Sequence, residues 1–136
     1  DMDQAVLSHQ VHKTDLYMVT EEDKGRGIRP GKERLFEIDG LMTREKGIPL
    51  VTFFADCVPL IFYDPVKRVI ATSHSGWKGT VGKIGAKTVE AMEEKMGCRR
   101  EDILAVIGPS ICQNCYEVSE DVALQFEAAF TGEQYE

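Results

Sequence analysis

A cysteine and a histidine lie near the ends of apolar runs in the middle of the chain. Cys57 lies between the runs Leu50–Phe54 and Leu60–Tyr63, and His74 follows the run Val69–Thr72. Apolar, β-rich runs of this length predict buried strands. Because α/β proteins commonly bind ligands where buried strands end, the thiol and the imidazole are candidates for chemistry.

A third residue, His12, completes a set of side chains that zinc prefers. His12, Cys57 and His74 supply two imidazoles and a thiolate, and a catalytic zinc uses three ligands of this type while its fourth position stays open to water. The ligands of structural zinc usually come in close pairs, whereas these three are far apart in the sequence. The set therefore predicts a catalytic zinc site.

Each member of this set also has an ordinary structural interpretation. Cys57 can be a small buried hydrophobe, although the neighbouring carboxylate of Asp56 is a group that is rarely buried without a partner. His74 can be a hydrogen-bonded histidine before a turn, and His12 an ordinary strand histidine. Two further alternatives stay open: a cysteine hydrolase or deamidase with Cys57 as nucleophile and His74 as base, and a non-catalytic domain stabilised by zinc.

A second cysteine motif, Cys112-Gln113-Asn114-Cys115, is a C-x-x-C. This spacing is found in half of a zinc knuckle and in redox pairs. A knuckle needs a second close pair, and Cys57 and Cys98 are far apart. A thioredoxin-type motif opens a helix after a strand, whereas this one follows Gly108-Pro109 in a segment predicted to be a loop. The sequence favours neither interpretation.

The elements around these residues predict an α/β fold. Val6–Val19 is predicted to be mostly extended, and Ile103–Ile107 to be another buried strand. Apolar residues at helical spacing predict helices over Val81–Met96 and Glu120–Phe130, the second with Ser119 as its N-cap. Buried strands that alternate with amphipathic helices are typical of the α/β class.

The extended segment Val6–Val19 contains both His9 and His12. Residues three apart on a strand point to opposite faces of the sheet. At most one of these two histidines is therefore expected to face a given site.

Composition limits the possible partners. The chain of 136 residues is of single-domain size, and its net charge of -7 argues against a general affinity for nucleic acid. Its apolar runs are shorter than the roughly 18–20 residues that span a bilayer, and the N-terminus does not resemble a signal peptide. Four cysteines without such a signal favour a reducing compartment. We predict a cytoplasmic protein that binds neither nucleic acid nor membrane.

Several motifs resemble, in order, those of the YfiH-type family, which is also described as multicopper polyphenol oxidoreductase (laccase-like) and as purine nucleoside phosphorylase. The matching segments are Gln10-Val11-His12, Asp39-Gly40-Leu41-Met42-Thr43, Ala55-Asp56-Cys57-Val58-Pro59, His74-Ser75-Gly76-Trp77-Lys78-Gly79, Gly108-Pro109-Ser110-Ile111 and Cys115-Tyr116-Glu117-Val118. The resemblance implies an α/β architecture of mixed β-sheets flanked by helices, and one zinc ion bound by His12, Cys57 and His74.

The activity implied by the resemblance is phosphorolysis of adenosine, inosine, guanosine and methylthioadenosine, with adenosine deamination as a second reaction. A zinc ion can activate water for attack on C6 of adenine, and Asp56 is then the candidate proton carrier beside Cys57 and His74. Lys78, with Gly76 and Trp77, is the candidate phosphate site. The expected partners are a nucleoside and phosphate, and both a monomer and a homodimer are compatible with the sequence.

The sequence departs from the family pattern in two respects. The upstream Arg-Gly-Gly segment and the downstream Arg-bearing segment of the family are not found, so residues 1–136 are expected to be a fragment that forms a single YfiH-like domain. Lys78 replaces an arginine and offers a point charge in place of a planar fork.

The number of histidines argues against copper chemistry. Imidazole is the favoured ligand of Cu(II), and the three histidines of this chain are too few for a multicopper centre.

Overall fold

The computed structural model describes residues 1–131. The regular elements of this region include two β-sheets and three α-helices. The strands are β1 (Val6–Leu7), β2 (Leu16–Met18), β3 (Gly40–Thr43), β4 (Leu50–Val51), β5 (Val58–Asp64), β6 (Val69–Ser75) and β7 (Leu104–Ile107). The helices are α1 (Trp77–Val81), α2 (Ile84–Met96) and α3 (Glu120–Ala129).

The larger sheet has five strands in the order β2-β3-β6-β5-β7. The pair β2–β3 is parallel and the other neighbours are antiparallel, while β1 and β4 form a separate parallel pair. Helix α2 packs on strands β3 and β6. The predicted α/β class with mixed sheets flanked by helices is therefore confirmed.

Two apolar clusters stabilise the two faces of this sheet. The first lies between the sheet and α2, and includes Met42, Phe62, Val69, Met92 and Met96. The second lies between β3 and the segment that carries β1, and consists of Val6, Val19, Leu35, Leu41 and Ile48. Since successive residues of a strand point to opposite faces, Leu41 and Met42 of β3 contribute to different clusters.

Two segments that the sequence predicts to be extended differ from the observed strands. The run Leu50–Phe54 is a strand only at Leu50–Val51, because both backbone groups of Phe53 hydrogen-bond to the side chain of Gln10 instead of to a neighbouring strand. The expectation of an extended Val6–Val19 is wrong in its middle, since β1 ends at Leu7 and β2 begins at Leu16.

The predicted helix Val81–Met96 is two helices. The chain turns between α1 and α2 at Gly82 and Lys83, where Lys83 has φ 59°. The helical spacing is otherwise confirmed, because Ile84, Thr88, Met92 and Met96 of α2 are buried. Across residues 1–131, every helix is too short or too polar to cross a bilayer.

The C-terminal part of the described chain is less buried than the sequence predicts. Ile103–Ile107 was expected to be a buried strand, but all four residues of β7 are exposed, and Ile107 is 75% exposed. Helix α3 follows Ser119 as predicted and buries none of its residues fully. An apolar run predicts a strand correctly here, but it does not show whether another layer covers that strand.

A buried carboxylate fixes the loop between β2 and β3. Asp23 accepts hydrogen bonds from the backbone N–H and hydroxyl of Thr20, from Nε of Arg26 and from the hydroxyl of Tyr17. Burial alone raises the pKa of Asp23, but the hydrogen bonds from Thr20, Arg26 and Tyr17 outweigh it and hold the pKa below its usual value.

We expect Asp23→Asn to lower the free energy of unfolding by about 1.5–3 kcal/mol at pH 7, the range of hydrogen bonds to charged groups. A carboxylate with a depressed pKa stabilises the fold above its unfolded-state pKa of about 3.9, and this contribution is lost as the pH falls through the folded-state value. The difference between wild type and variant should therefore shrink below about pH 4. Urea unfolding at pH 7 and pH 3 measures it, and Glu94→Gln on the exposed face of α2 is the control with no such change.

Candidate metal centre

The elements that carry the candidate residues meet at one end of the five-stranded sheet. Antiparallel pairing of β5 with β6 places Pro59 opposite His74, so Cys57, just before β5, lies beside the end of β6. Pairing of β3 with β6 brings Asp39, just before β3, to the same end, where its C=O accepts the backbone N–H of His74 at 2.7 Å.

The three predicted ligands converge at this end. One donor atom each of His12, Cys57 and His74 lies within 4.8 Å of the other two. Metal–ligand distances of 2.0–2.3 Å in a tetrahedral site place donors about 3.3–3.8 Å apart, so a small contraction is enough to bind an ion. Among residues 1–131 this is the group with metal-binding geometry, and two imidazoles with a thiolate suit a borderline-soft metal.

Asp39 orients the buried imidazole of His74. A carboxylate oxygen of Asp39 lies 3.0 Å from Nδ1 of His74. A carboxylate only accepts, so Nδ1 carries the hydrogen and the lone pair of Nε2 is free for a metal ion. Carboxylates commonly hold ligating histidines in this way, which fixes their tautomer and ring orientation.

Asp39 also shapes the loop that carries His12. Its carboxylate accepts the backbone N–H groups of Val11, His12 and Lys13 at 3.2, 2.9 and 2.9 Å. Burial alone raises the pKa of Asp39, but the hydrogen bonds from His74 and these N–H groups hold the pKa below its usual value.

The sequence placed His12 in an extended segment, as a strand histidine, but in the structure it lies in a loop. Its backbone has φ 62°, a left-handed conformation, and the loop wraps around the carboxylate of Asp39. The imidazole packs edge-on against His74, with 4.7 Å between ring centroids. His9 instead stacks on Phe36 at 5.8 Å and is not in the ligand set.

Cys57 occupies a bend before β5 and is half-buried. Burial, and then the negative charges of Asp56 and Asp39, raise the pKa of its thiol. The nucleophile of a cysteine hydrolase normally has a depressed pKa. The raised pKa therefore argues against a free nucleophile. A metal ligand must also be a thiolate, but a bound cation would offset the negative charges that raise the pKa.

Gly76 is necessary for the close approach of the ligands. A Cβ at this position would lie 3.0 Å from Sγ of Cys57 and 3.0 Å from Cδ2 of His12. Both atoms belong to the ligand set, so a side chain would displace the very groups that bind the ion.

We expect Gly76→Ala to weaken metal binding by about 10-fold or more, similar to the loss of an outer-sphere partner. Isothermal titration with Zn²⁺ measures the affinity. Gly85→Ala is the matched control, because its Cβ would meet only the flexible end of Leu60 and alanine favours a helix such as α2. Equal affinities of the two variants would show that the space at Gly76 is irrelevant to the metal.

Two cavities open beside the ligand set. The larger, of about 580 Å³, is lined by all three ligands. His9, Arg34, Phe53, Phe54 and Asp56 also lie on its wall. The smaller, of about 200 Å³, is also lined by Cys57. Its wall includes Gly76, Trp77, Ile111, Tyr116 and Phe126.

The remaining predicted site residues lie around these cavities. Asp56 is exposed and lines both of them. Gly76 and Trp77 line the smaller one, while Lys78 is exposed with its Nζ 5.4 Å from the centre of the Trp77 ring. Within residues 1–131, Arg34 supplies the one lysine or arginine side chain that lines the larger cavity. The sequence did not predict a role for it.

The residue that sequence reasoning missed is Asp39. The sequence places it in the motif Asp39–Thr43 but gives it no role. Its signal was an acidic residue directly before an apolar run, since a buried carboxylate requires partners. Its partners, however, lie 26–35 residues away in the sequence.

Comparisons with known proteins show which family the chain is similar to. The family described as multi-copper polyphenol oxidoreductase laccase matches residues 1–136. Purine nucleoside phosphorylase YlmD of Bacillus subtilis is 46% identical over 122 residues, which are 90% of this chain and 44% of that protein. Adenosine deaminase RL5, from an unknown prokaryotic organism, is 37% identical over 95% of this chain and 49% of that protein.

A solved structure shows the same fold. The crystal structure of YlmD from Geobacillus stearothermophilus superposes with a TM-score of 0.91 at 33% identity, and the match covers 97% of this chain and 49% of that one. The chain thus spans about half the length of the relatives it matches. With the family match along its entire length and the YlmD fold around its His-Cys-His site, the chain belongs to the laccase-like YfiH family.

Proposed function

We propose that this chain provides the zinc centre of a purine nucleoside phosphorylase that also deaminates adenosine. The observation that carries the proposal is the convergence of His12, Cys57 and His74 on the wall of a cavity of about 580 Å³. This volume falls in the roughly 300–1,000 Å³ range of small-molecule sites. One relative named as a purine nucleoside phosphorylase and another named as an adenosine deaminase support the assignment.

The proposed roles follow from the positions of the side chains. Bound zinc would supply a Lewis acid that lowers the pKa of water toward neutrality. Asp56, exposed at the junction of the two cavities, is placed to accept and return a proton. Phe53 and Phe54 offer apolar surface to a purine ring, and Asp39 keeps His74 in its ligating tautomer. The proposed substrates are adenosine, inosine, guanosine and methylthioadenosine.

The test combines metal analysis with product analysis of the purified chain. We expect zinc, and release of free base from adenosine or inosine only when phosphate is present. Ammonia release from adenosine would report deamination. His12→Ala and His9→Ala form a matched pair, because both histidines line the larger cavity and only His12 belongs to the ligand set. Zinc and turnover lost in both variants, or in neither, would contradict the proposal.

Phosphate has two candidate cations, and we propose Lys78, with Gly76 and Trp77, as its site. Lys78→Ala should then raise KM for phosphate about tenfold or more, since a hydrogen bond to a charged group contributes about 1.5–3 kcal/mol. Arg34→Ala should leave it unchanged. Initial rates at varied phosphate distinguish the two, and the reverse pattern would move the phosphate into the larger cavity with Arg34.

A further inference from the structure

Cys112 and Cys115 lie together on the surface, outside the ligand set. Their Sγ atoms are 3.1 Å apart, and both residues are exposed. The turn Gln113–Cys115 holds them in this position, with the backbone N–H of Cys115 donating to the C=O of Cys112 at 3.0 Å. The other cysteines differ, because Cys98 is buried and Cys57 belongs to the candidate metal centre.

The geometry excludes one of the two interpretations of this motif within residues 1–131. A zinc knuckle needs two further ligands close by, and the group with metal-binding geometry in this region is His12, Cys57 and His74. A dithiol with adjacent sulfurs is suited to a different reaction. Once one sulfur carries a mixed disulfide, the neighbouring thiol can attack it far faster than a thiol in solution can.

The surroundings distinguish the two sulfurs chemically. A hydrogen bond with the Cys115 thiol, and then the backbone N–H groups of Cys115 and Asn114, lower the pKa of Cys112. The same contact with Cys112 raises the pKa of Cys115. Thiolates are the attacking species in thiol–disulfide exchange, so Cys112 is the first to react.

We propose that Cys112 and Cys115 form a reversible dithiol–disulfide site that is oxidised by a small disulfide of the glutathione class. The Cys112 thiolate attacks one sulfur of the small disulfide, which forms a mixed disulfide and releases one thiolate. Cys115 then loses its proton and attacks Sγ of Cys112, which forms the intramolecular disulfide and releases the second thiol. The two protein sulfurs lose two electrons, and the small disulfide gains them.

The position of the pair connects it to the smaller cavity. Ile111, just before Cys112, donates its N–H to the C=O of Asp56 at 3.2 Å. Ile111 and Tyr116, which follows Cys115, both line the cavity beside Cys57. The dithiol is thus next to the candidate metal centre but supplies no ligand to it, so its oxidation should leave the metal content unchanged.

The oxidation state of Cys112 and Cys115 can be measured in a single tryptic peptide. The segment 101–136 contains no lysine or arginine, so trypsin releases Cys112 and Cys115 in one peptide, separate from Cys57 and Cys98. The zinc-loaded chain is incubated with oxidised glutathione at neutral pH, quenched in acid, alkylated with iodoacetamide and examined by mass spectrometry. We expect this peptide to lose two hydrogens and both alkylation sites, and to regain them after treatment with dithiothreitol.

Variants distinguish formation of the intramolecular disulfide from simple modification of an exposed cysteine. Cys115→Ser should retain one glutathione on Cys112, whereas the wild type should release it as the ring closes. Cys98→Ser should behave as wild type. Two alkylated cysteines in the wild-type peptide after oxidation would overturn the proposal, and so would an equal, persistent glutathione adduct in wild type and Cys115→Ser. Zinc content, measured in parallel, reports on the metal centre independently.

Discussion

Replacing Cys57 with alanine should remove bound zinc and nucleoside turnover together. The sulfur is one of three donor atoms within 4.8 Å of one another, and alanine offers no substitute. The loss of affinity should exceed the roughly 10–100-fold that removal of an outer-sphere partner costs. Metal content of the purified variant, measured by mass spectrometry of the elements, and base release from adenosine with phosphate test the two halves of this prediction.

The control for this variant is Cys112→Ala, which removes an exposed thiol outside the ligand set. It should retain zinc and turnover. A metal-free Cys57→Ala protein that still releases base would refute the role of the metal. Zinc-bound wild type that turns over no nucleoside would instead favour a domain that uses the ion only for stability.

The cysteine-hydrolase alternative makes the opposite prediction for metal removal. A Cys57–His74 dyad works without an ion, so the chelated wild type would retain activity and lose it on alkylation. In the structure, burial and the negative charge of Asp56 raise the pKa of the Cys57 thiol, which disfavours the thiolate that such a dyad needs. The proposed zinc enzyme should lose activity on chelation and regain it with added Zn²⁺.

The meeting of Cys57 and His74 could be predicted because it depends on local signals. Each lies at the end of an apolar run, and the two runs pair as neighbouring antiparallel strands. The turn after Asp64 makes this pairing the simplest one, since its carboxylate accepts the N–H groups of Val66 and Lys67. Strand, turn and strand are close in sequence, so patterning alone was sufficient.

The position of His12 could be predicted only by residue type. Its loop takes its shape from the carboxylate of Asp39, 27 residues away, and its left-handed backbone has no sequence signal such as glycine or asparagine. The contact with Asp39 sets the backbone conformation of His12, and local residue preferences do not predict such a contact. The break between α1 and α2 is different, because Gly82 at the end of α1 is a local signal, although no proline marks the position.

Replacing Asp39 with asparagine should weaken both the metal site and the fold. Oδ1 accepts from His74 Nδ1 and the N–H of His12, while Oδ2 accepts from the N–H groups of Val11 and Lys13. Asparagine has one oxygen and one NH₂ group, so in either orientation one of these two pairs of donors faces another donor. Each buried donor without a partner costs about 1–3 kcal/mol, and loss of the carboxylate behind His74 should weaken metal binding about 10–100-fold.

Asp64→Asn is the matched control, because Asp64 is another fully buried carboxylate that accepts two backbone N–H groups. Asp64 is the last residue of β5, at the end of the strand opposite Cys57. Its replacement should therefore lower stability and leave metal affinity unchanged. Urea unfolding of the metal-free proteins and zinc titration of the folded ones separate the two effects. Asp39→Asn that loses stability but binds zinc as tightly as Asp64→Asn would show that Asp39 supports the loop of His12 and has no influence on the metal.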